Sequence, residues 1–225
     1  MSKPVEAAPW SYSKVDSFEK CPKQFYHEKV LKEFPFEQTE AIIYGNEVHK
    51  AAELYVQDAE PIPKKYGYMT PICDALMRKG DVHKAELKFG LTEDLEPCGF
   101  FAKNVWYRGV VDLLVFDGKK VWITDYKTGK NARYADPGQI ELMALGVFAH
   151  YPEVEEIRGG LLYVVAKELI KSSYTRDDIE RLWTKWLRKF GSMEASFKND
   201  VWNPNPSGLC HNHCRVLECP HNGRS

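Results

Sequence analysis

Apolar residues recur first at helical and then at alternating spacing along the chain. Ser13 is a candidate cap for a short helix carrying Val15 and Phe18, and Pro22 suits the first position of a second helix. Because the residue before a proline avoids the α region, Cys21 is expected in an extended or capping conformation. Ile42, Ile43, Val48, Ala51, Ala52, Leu54 and Tyr55 fall near helical spacing and predict a helix over Thr39 to Ala59. Pro61, Pro63 and Gly67 predict a loop from Glu60 to Tyr68, before another helix around Pro71 to Arg78. From about His83, Ala85, Leu87 and Phe89 alternate with charged residues as in a strand, and further strands are predicted over Val105 to Phe116 and Lys120 to Tyr126. A helix from Pro137 to about His150, a strand from Ile157 to Ala166 and a long amphipathic helix from about Arg176 to Phe197 follow, and the tail after Asp200 reads as loop. Such interleaving predicts an α/β arrangement around one largely buried sheet.

The length of 225 residues and the 44% apolar content suit a single domain, residues 1–225, with a substantial core. With 31 basic against 32 acidic residues the net charge is -1, so any nucleic-acid site has to be a local patch. The longest apolar run, Leu161 to Ala166, is far short of the roughly 20 residues of a membrane span. Met1 to Glu6 has no apolar leader run, so a soluble protein in a reducing cytoplasm is expected. In that setting six cysteines suggest metal or chance before disulfides.

Asp117-Gly118 between two strand patterns signals a type I′ hairpin. A two-residue loop there would pair Phe116 with Lys119. Alternation then places Asp112 on one face with Ile123, Asp125 and Lys127, the two aspartates being diagonal neighbours. A four-residue loop keeps the parity and sets them directly opposite. Both faces of the hairpin are otherwise apolar, and buried carboxylates are costly unless paired or metal-bound. Two readings stand side by side: an ion pair in which Lys127 neutralises Asp125, or a site for a hard divalent cation with a lysine beside it to handle water, the layout of metal-assisted phosphodiester hydrolysis.

Gly109-Val110-Val111-Asp112 followed by Asp125-Tyr126-Lys127-Thr128-Gly129 resembles the signature of the PD-(D/E)xK nuclease superfamily, in the branch of RecB nuclease domains, AddB and Cas4. Gly45-Asn46-Glu47-Val48-His49 is similar to that branch's upstream histidine motif, and Asp136-Pro137-Gly138-Gln139 to its downstream glutamine motif. The resemblance implies a restriction-endonuclease-like core, a mixed central sheet flanked by helices. It also implies Mg²⁺ or Mn²⁺ held by Asp112, Asp125, His49 and the main-chain carbonyl of Tyr126, with Glu86 as a further acidic candidate. Lys127 would act on the attacking water beside the catalytic Asp112 and Asp125, and Gln139 would reach the site or DNA. The family's tyrosine four residues after the glutamine is Met143 here, which suits core packing. The activity implied is a DNA exonuclease acting on single- or double-stranded ends in recombination or replication, alone or with partner proteins. The rival is a non-catalytic DNA-binding or assembly protein retaining the fold.

Cys210, Cys214 and Cys219 crowd a short turn-rich segment. With Cys21 they resemble the four-cysteine iron-sulfur members, which implies a [4Fe-4S] cluster stapling the two chain ends, with residues 201–225 a tail packing on the region of Cys21. His211, His213 and His221 keep Zn²⁺ open as the alternative. Cys73 and Cys98 read as ordinary buried or half-buried thiols. Lys119, Lys120, Lys127, Lys130 and Arg133 form a local basic stretch for phosphates, with Lys130 and Arg133 the DNA-binding candidates. Arg181, Lys185, Arg188 and Lys189 read as a solvated helix face. Trp10, Tyr12, Tyr66 and Tyr68 are candidates for base stacking, each expected rather to pack.

Overall fold

The computed structural model describes residues 9–224. Met1 to Glu6, where the sequence shows no leader run, lie outside the described residues. The chain divides into two compact units, residues 1–37 with 184–225, and residues 38–183.

In the first unit, α1 (Tyr12–Lys20) is capped by Ser11, whose hydroxyl accepts from the backbone N–H of Lys14, and not by Ser13, which lies inside the helix. Cys21 is extended at φ -165° and caps α2 (Pro22–Phe25), its sulfur accepting from the Gln24 N–H, as the proline after it dictates. A π-helical turn, Tyr26–Val30, follows.

The second unit holds α3 (Glu40–Asp58), α4 (Met69–Met77) and a six-stranded sheet. Thr39 caps α3 by accepting from the Ile42 N–H. The strands are β1 (Val82–Leu91), β2 (Pro97–Cys98), β3 (Tyr107–Asp117), β4 (Lys120–Lys127), β5 (Glu156–Tyr163) and β6 (Glu168–Thr175). α5 (Gly138–His150) joins β4 to β5. The order is β2-β1-β3-β4-β5-β6, with β4 and β5 parallel and every other pair antiparallel, the mixed α/β sheet expected. α6 (Ile179–Asn199) begins in this unit and runs on into the first, where it buries Trp186, Phe190 and Met193 at helical spacing, and the single turn α7 (Leu209–Asn212) also belongs to the first unit.

Two further expectations change. Strand β5 ends at Tyr163, and an eight-residue edge strand, β6, occupies Glu168–Thr175, which the sequence reading left unassigned. The hairpin loop is Gly118-Lys119, because Asp117 pairs with Lys120. Only Gly118 of that pair has a positive φ, 56°, so the turn is not type I′, which needs two such residues. Sliding the loop by one residue changes the register by two and preserves the faces.

Those faces have different coverings. Leu113, Val115 and Tyr126 pack with Val48, Ala51 and Ala52 of α3 and with Met69 and Cys73 of α4. By alternation Asp112, Leu114, Ile123, Asp125 and Lys127 lie on the other face, the side of α5. α5 lies close there: a Cβ added at Gly146 would fall 1.9 Å from the Phe89 ring of β1. Met143 is buried in α5, as core packing requires. No helix among the described residues is long and apolar enough to cross a membrane.

Candidate active site

The observed register extrapolates past Leu113–Thr124 to set Asp112 opposite Asp125, the arrangement foreseen for the longer loop. Regular pairing stops at that point, and the Asp112 carboxylate takes over the ladder's role, its Oδ2 accepting from the Tyr126 N–H at 2.7 Å. α3 crosses the same strand end and delivers His49. Its Nε2 is 2.9 Å from the Tyr126 carbonyl oxygen and its Nδ1 is 3.3 Å from Asp112 Oδ2.

From the other neighbouring strand comes Glu86. The β1–β3 ladder runs through Ala85–Leu113 and Leu87–Val111 but skips Glu86, whose φ of 47° is left-handed. A non-glycine residue held so within a strand is strained by on the order of 1–3 kcal/mol. Its carboxyl joins His49 and Asp112 in a group whose candidate ligand atoms all lie within 4.8 Å of one another.

Asp125 is 2% exposed. Its Oδ1 accepts from Gln139 Nε2 at 2.5 Å, and Gln139 Oε1 accepts from Lys127 Nζ at 2.7 Å. Lys127 Nζ is also 2.6 Å from Asp125 Oδ2, the ion pair of the first reading. Oδ2 is buried, with that ammonium beside it. Gln139, at the start of α5, is therefore part of the site, holding the catalytic candidates Asp125 and Lys127 at once.

The electrostatics follow from crowding. Burial, and then the charge of Asp112, push the Asp125 carboxyl up to about 6 against the opposing pull of Lys127. Burial, Asp112 and Glu53 raise Glu86. Burial pulls His49 down, but the hydrogen bond and charge of Asp112 outweigh it and the net direction is up.

An open cleft of about 590 Å³ adjoins the group, lined by Gly45, Asn46, His49, Glu53, Glu86 and Thr128 among others. A Cβ at Gly45 would meet Thr128 Oγ1 at 3.2 Å, so the glycine lets α3 lie close to the end of β4. Glu53 and Thr128 were missed by the sequence reading. The signal for Glu53 was available: it stands four residues after His49, one turn along the same helix face.

The basic stretch does not form one patch. Lys119 pairs with Glu155 and Lys120 with Glu156 at the hairpin end, and seven residues of strand at about 3.3 Å each separate Lys120 from Lys127, roughly 23 Å. Lys130 and Arg133 lie exposed in the loop between β4 and α5, with the Arg133 guanidinium 5.4 Å from the Tyr134 ring centroid. Trp10 and Tyr66 are core residues, and the Tyr68 hydroxyl meets that of Tyr44 at 2.6 Å.

In the first unit, Cys21, Cys210, Cys214 and Cys219 line one cavity of about 270 Å³. The tail packs beside Cys21: Asn205 donates its backbone N–H to Cys21 Sγ at 3.5 Å, and Trp202 stacks on Tyr26 with ring centroids 4.8 Å apart. Ser207 donates to Cys210 Sγ at 3.4 Å. Burial raises the Cys214 thiol, and the other three cysteines add to the rise. Cys73 is buried in the core and Cys98 is half-buried.

The family model described as the PD-(D/E)XK nuclease superfamily matches residues 9–79 and 74–220. Among solved structures, one described as "Putative exonuclease" from Eubacterium rectale superposes with a TM-score of 0.53 at 13% identity, covering 98% of this chain and 95% of that one. A second, SSO0001, has a TM-score of 0.43 at 10% identity over 98% of this chain and 90% of that one. The first likeness supports the fold alone. No curated protein matches the sequence.

Proposed function

The chain belongs to the PD-(D/E)XK nuclease superfamily, and from that premise we propose that it is a divalent-metal-dependent deoxyribonuclease that trims DNA ends as an exonuclease. The observation that carries the proposal is the meeting of His49, Glu86 and Asp112, within 4.8 Å of one another, beside the Asp125–Lys127 pair. The donor set fits Mg²⁺ or Mn²⁺. Three carboxylates crowded at a strand end are what a hard divalent cation offsets, and the buried Asp125 adds its oxygens to the set beside the Lys127 ammonium. The proposed ligands are Asp112, Asp125, His49 and the Tyr126 carbonyl, with Glu86 completing the set.

When bound, the cation supplies Lewis-acid polarisation of the phosphate and stabilises charge developing there. The residues do the rest. Gln139 keeps the Lys127 ammonium against Asp125, so that a positive donor stands beside the carboxylates to orient the attacking water. The Tyr126 N–H fixes the Asp112 carboxylate, which limits its rotation before substrate arrives. Lys130 and Arg133, exposed on the loop between Lys127 and Gln139, are the proposed backbone contacts for DNA. The name borne by the Eubacterium rectale structure agrees with end-directed cleavage.

The family match runs through both compact units, which supports treating residues 1–225 as one nuclease domain. For the four cysteines we favour a [4Fe-4S] cluster stapling the chain ends. Tetrahedral zinc, at about 2.3 Å from each sulfur, is the alternative for the same four cysteines. A four-iron cluster is larger and holds its thiolates farther apart, and backbone N–H groups directed at Cys21 and Cys210 suit such thiolates.

The test is hydrolysis of end-labelled linear and closed-circular DNA, single- and double-stranded, with Mg²⁺, Mn²⁺ or EDTA, beside Asp125→Ala and Lys127→Ala. Metal-dependent loss of linear DNA alone, abolished by both substitutions, is the expected result. DNA retention without cleavage by metal-replete protein would overturn it in favour of an assembly protein.

A further inference from the structure

On the sheet face opposite the carboxylates, β4, β5 and β6 leave a cavity of about 610 Å³, within the range of small-molecule sites. Lys79, Arg158 and Lys171 line it, and no acidic residue does. Leu76, Leu162 and Leu169 give it an apolar wall. At its centre is Trp122, with the Lys79 ammonium 4.0 Å and the Arg158 guanidinium 5.2 Å from the indole centroid. Two cations held over one ring repel each other, and the indole N–H is buried with no acceptor among the described residues. An unmet N–H of this kind costs free energy unless something accepts from it. Glu156 occupies Arg158 Nε at 2.7 Å. Among the described residues, neither Lys79 nor Lys171 has a carboxylate partner.

We propose that this cavity binds the phosphate of a nucleotide-sized ligand. An oxyanion placed beside Lys79 and Arg158 offsets their repulsion. The hydroxyl of Ser173, in register with Trp122 and Arg158, suits a sugar, and the leucine wall suits a base. The cavity lies on the face away from Asp125, so the inference does not rest on the nuclease reading.

The experiment is equilibrium dialysis of the full chain in EDTA against labelled dAMP, with inorganic phosphate, deoxyadenosine and a single-stranded ten-nucleotide DNA as competitors. Expected are saturable dAMP binding, competition by phosphate but not by deoxyadenosine, and about tenfold or greater weakening in Lys79→Ala and in Arg158→Ala. Asp125→Asn leaves it unchanged, and Lys79→Ala leaves thermal unfolding and DNA cleavage unchanged. Binding that is absent, that survives the Lys79→Ala/Arg158→Ala double substitution, or that Asp125→Asn abolishes would overturn the proposal. So would preferential displacement by the oligonucleotide, which would give the groove to a DNA strand.

Discussion

Asp125 carries an electrostatic load that its proposed role as a metal ligand explains and its stability does not. Its carboxyl moves from an ordinary 3.8 up to about 6 because it is buried beside Asp112. An acid whose pKa is higher folded than unfolded binds more protons in the folded state, so stability falls as pH rises between about 4 and 6. Below that window the unfavourable contribution is absent, and above it is fully present. In EDTA, Asp125→Asn is therefore expected to stabilise the protein at pH 7.5 by on the order of 1–3 kcal/mol while abolishing cleavage. Denaturant titrations at pH 3.5 and 7.5 check this, and an equal gain at both values would refute the electrostatic cause. Gln139 is the second informative residue, since its amide holds both Asp125 and Lys127. Gln139→Leu is expected to lower cleavage about 10–100-fold, the range seen when a group orienting metal ligands is lost. Steady-state rates over a Mn²⁺ titration measure it.

Among the elements, the β3–β4 hairpin sets the register that brings the aspartates opposite each other. Gly118, at φ 56°, makes its turn, and open space surrounds the position of a Cβ there. Gly118→Val is therefore a backbone penalty without a clash, about 1–2 kcal/mol by urea denaturation, whereas Gly118→Asn costs less because asparagine tolerates the left-handed region. Gly146→Ala is the opposite case, an added Cβ driven into the Phe89 ring, and is expected to cost about 1–3 kcal/mol. Most elements were legible beforehand: Thr39, Pro22 and the alternation of β3 and β4 mark boundaries that the structure keeps within a few residues. β6 was not. Its Leu169, Lys171, Ser173 and Thr175 are exposed on a sheet edge, so burial wrote no apolar alternation into the strand and only pairing with β5 defines it.

At the scale of the whole molecule, the proposed cluster ties residues near both ends of the chain within one compact unit. Cys214→Ser is expected to remove a broad absorption band near ~400 nm from anaerobically purified protein and to lower the thermal midpoint of unfolding. Iron analysis beside the spectrum separates this from zinc, since a colourless, zinc-loaded wild type would sink the iron-sulfur assignment.

By itself the sequence determined most of the succession of helices and strands, β6 apart, the common face of Asp112, Asp125 and Lys127, and the presence of His49 and Gln139 in the same order as the family's motifs. Side-chain parity and helical spacing are local properties of the backbone, and a change of hairpin register by two leaves them intact. Tertiary structure alone decided that Asp112 stands opposite Asp125, that Glu86 turns left-handed toward His49, that Gln139 bridges Asp125 and Lys127, and that the basic stretch is drawn out along β4. Each of these depends on which segments remote in sequence lie against one another, and that is settled by burial of the shared core, not by the residues at either side of the contact.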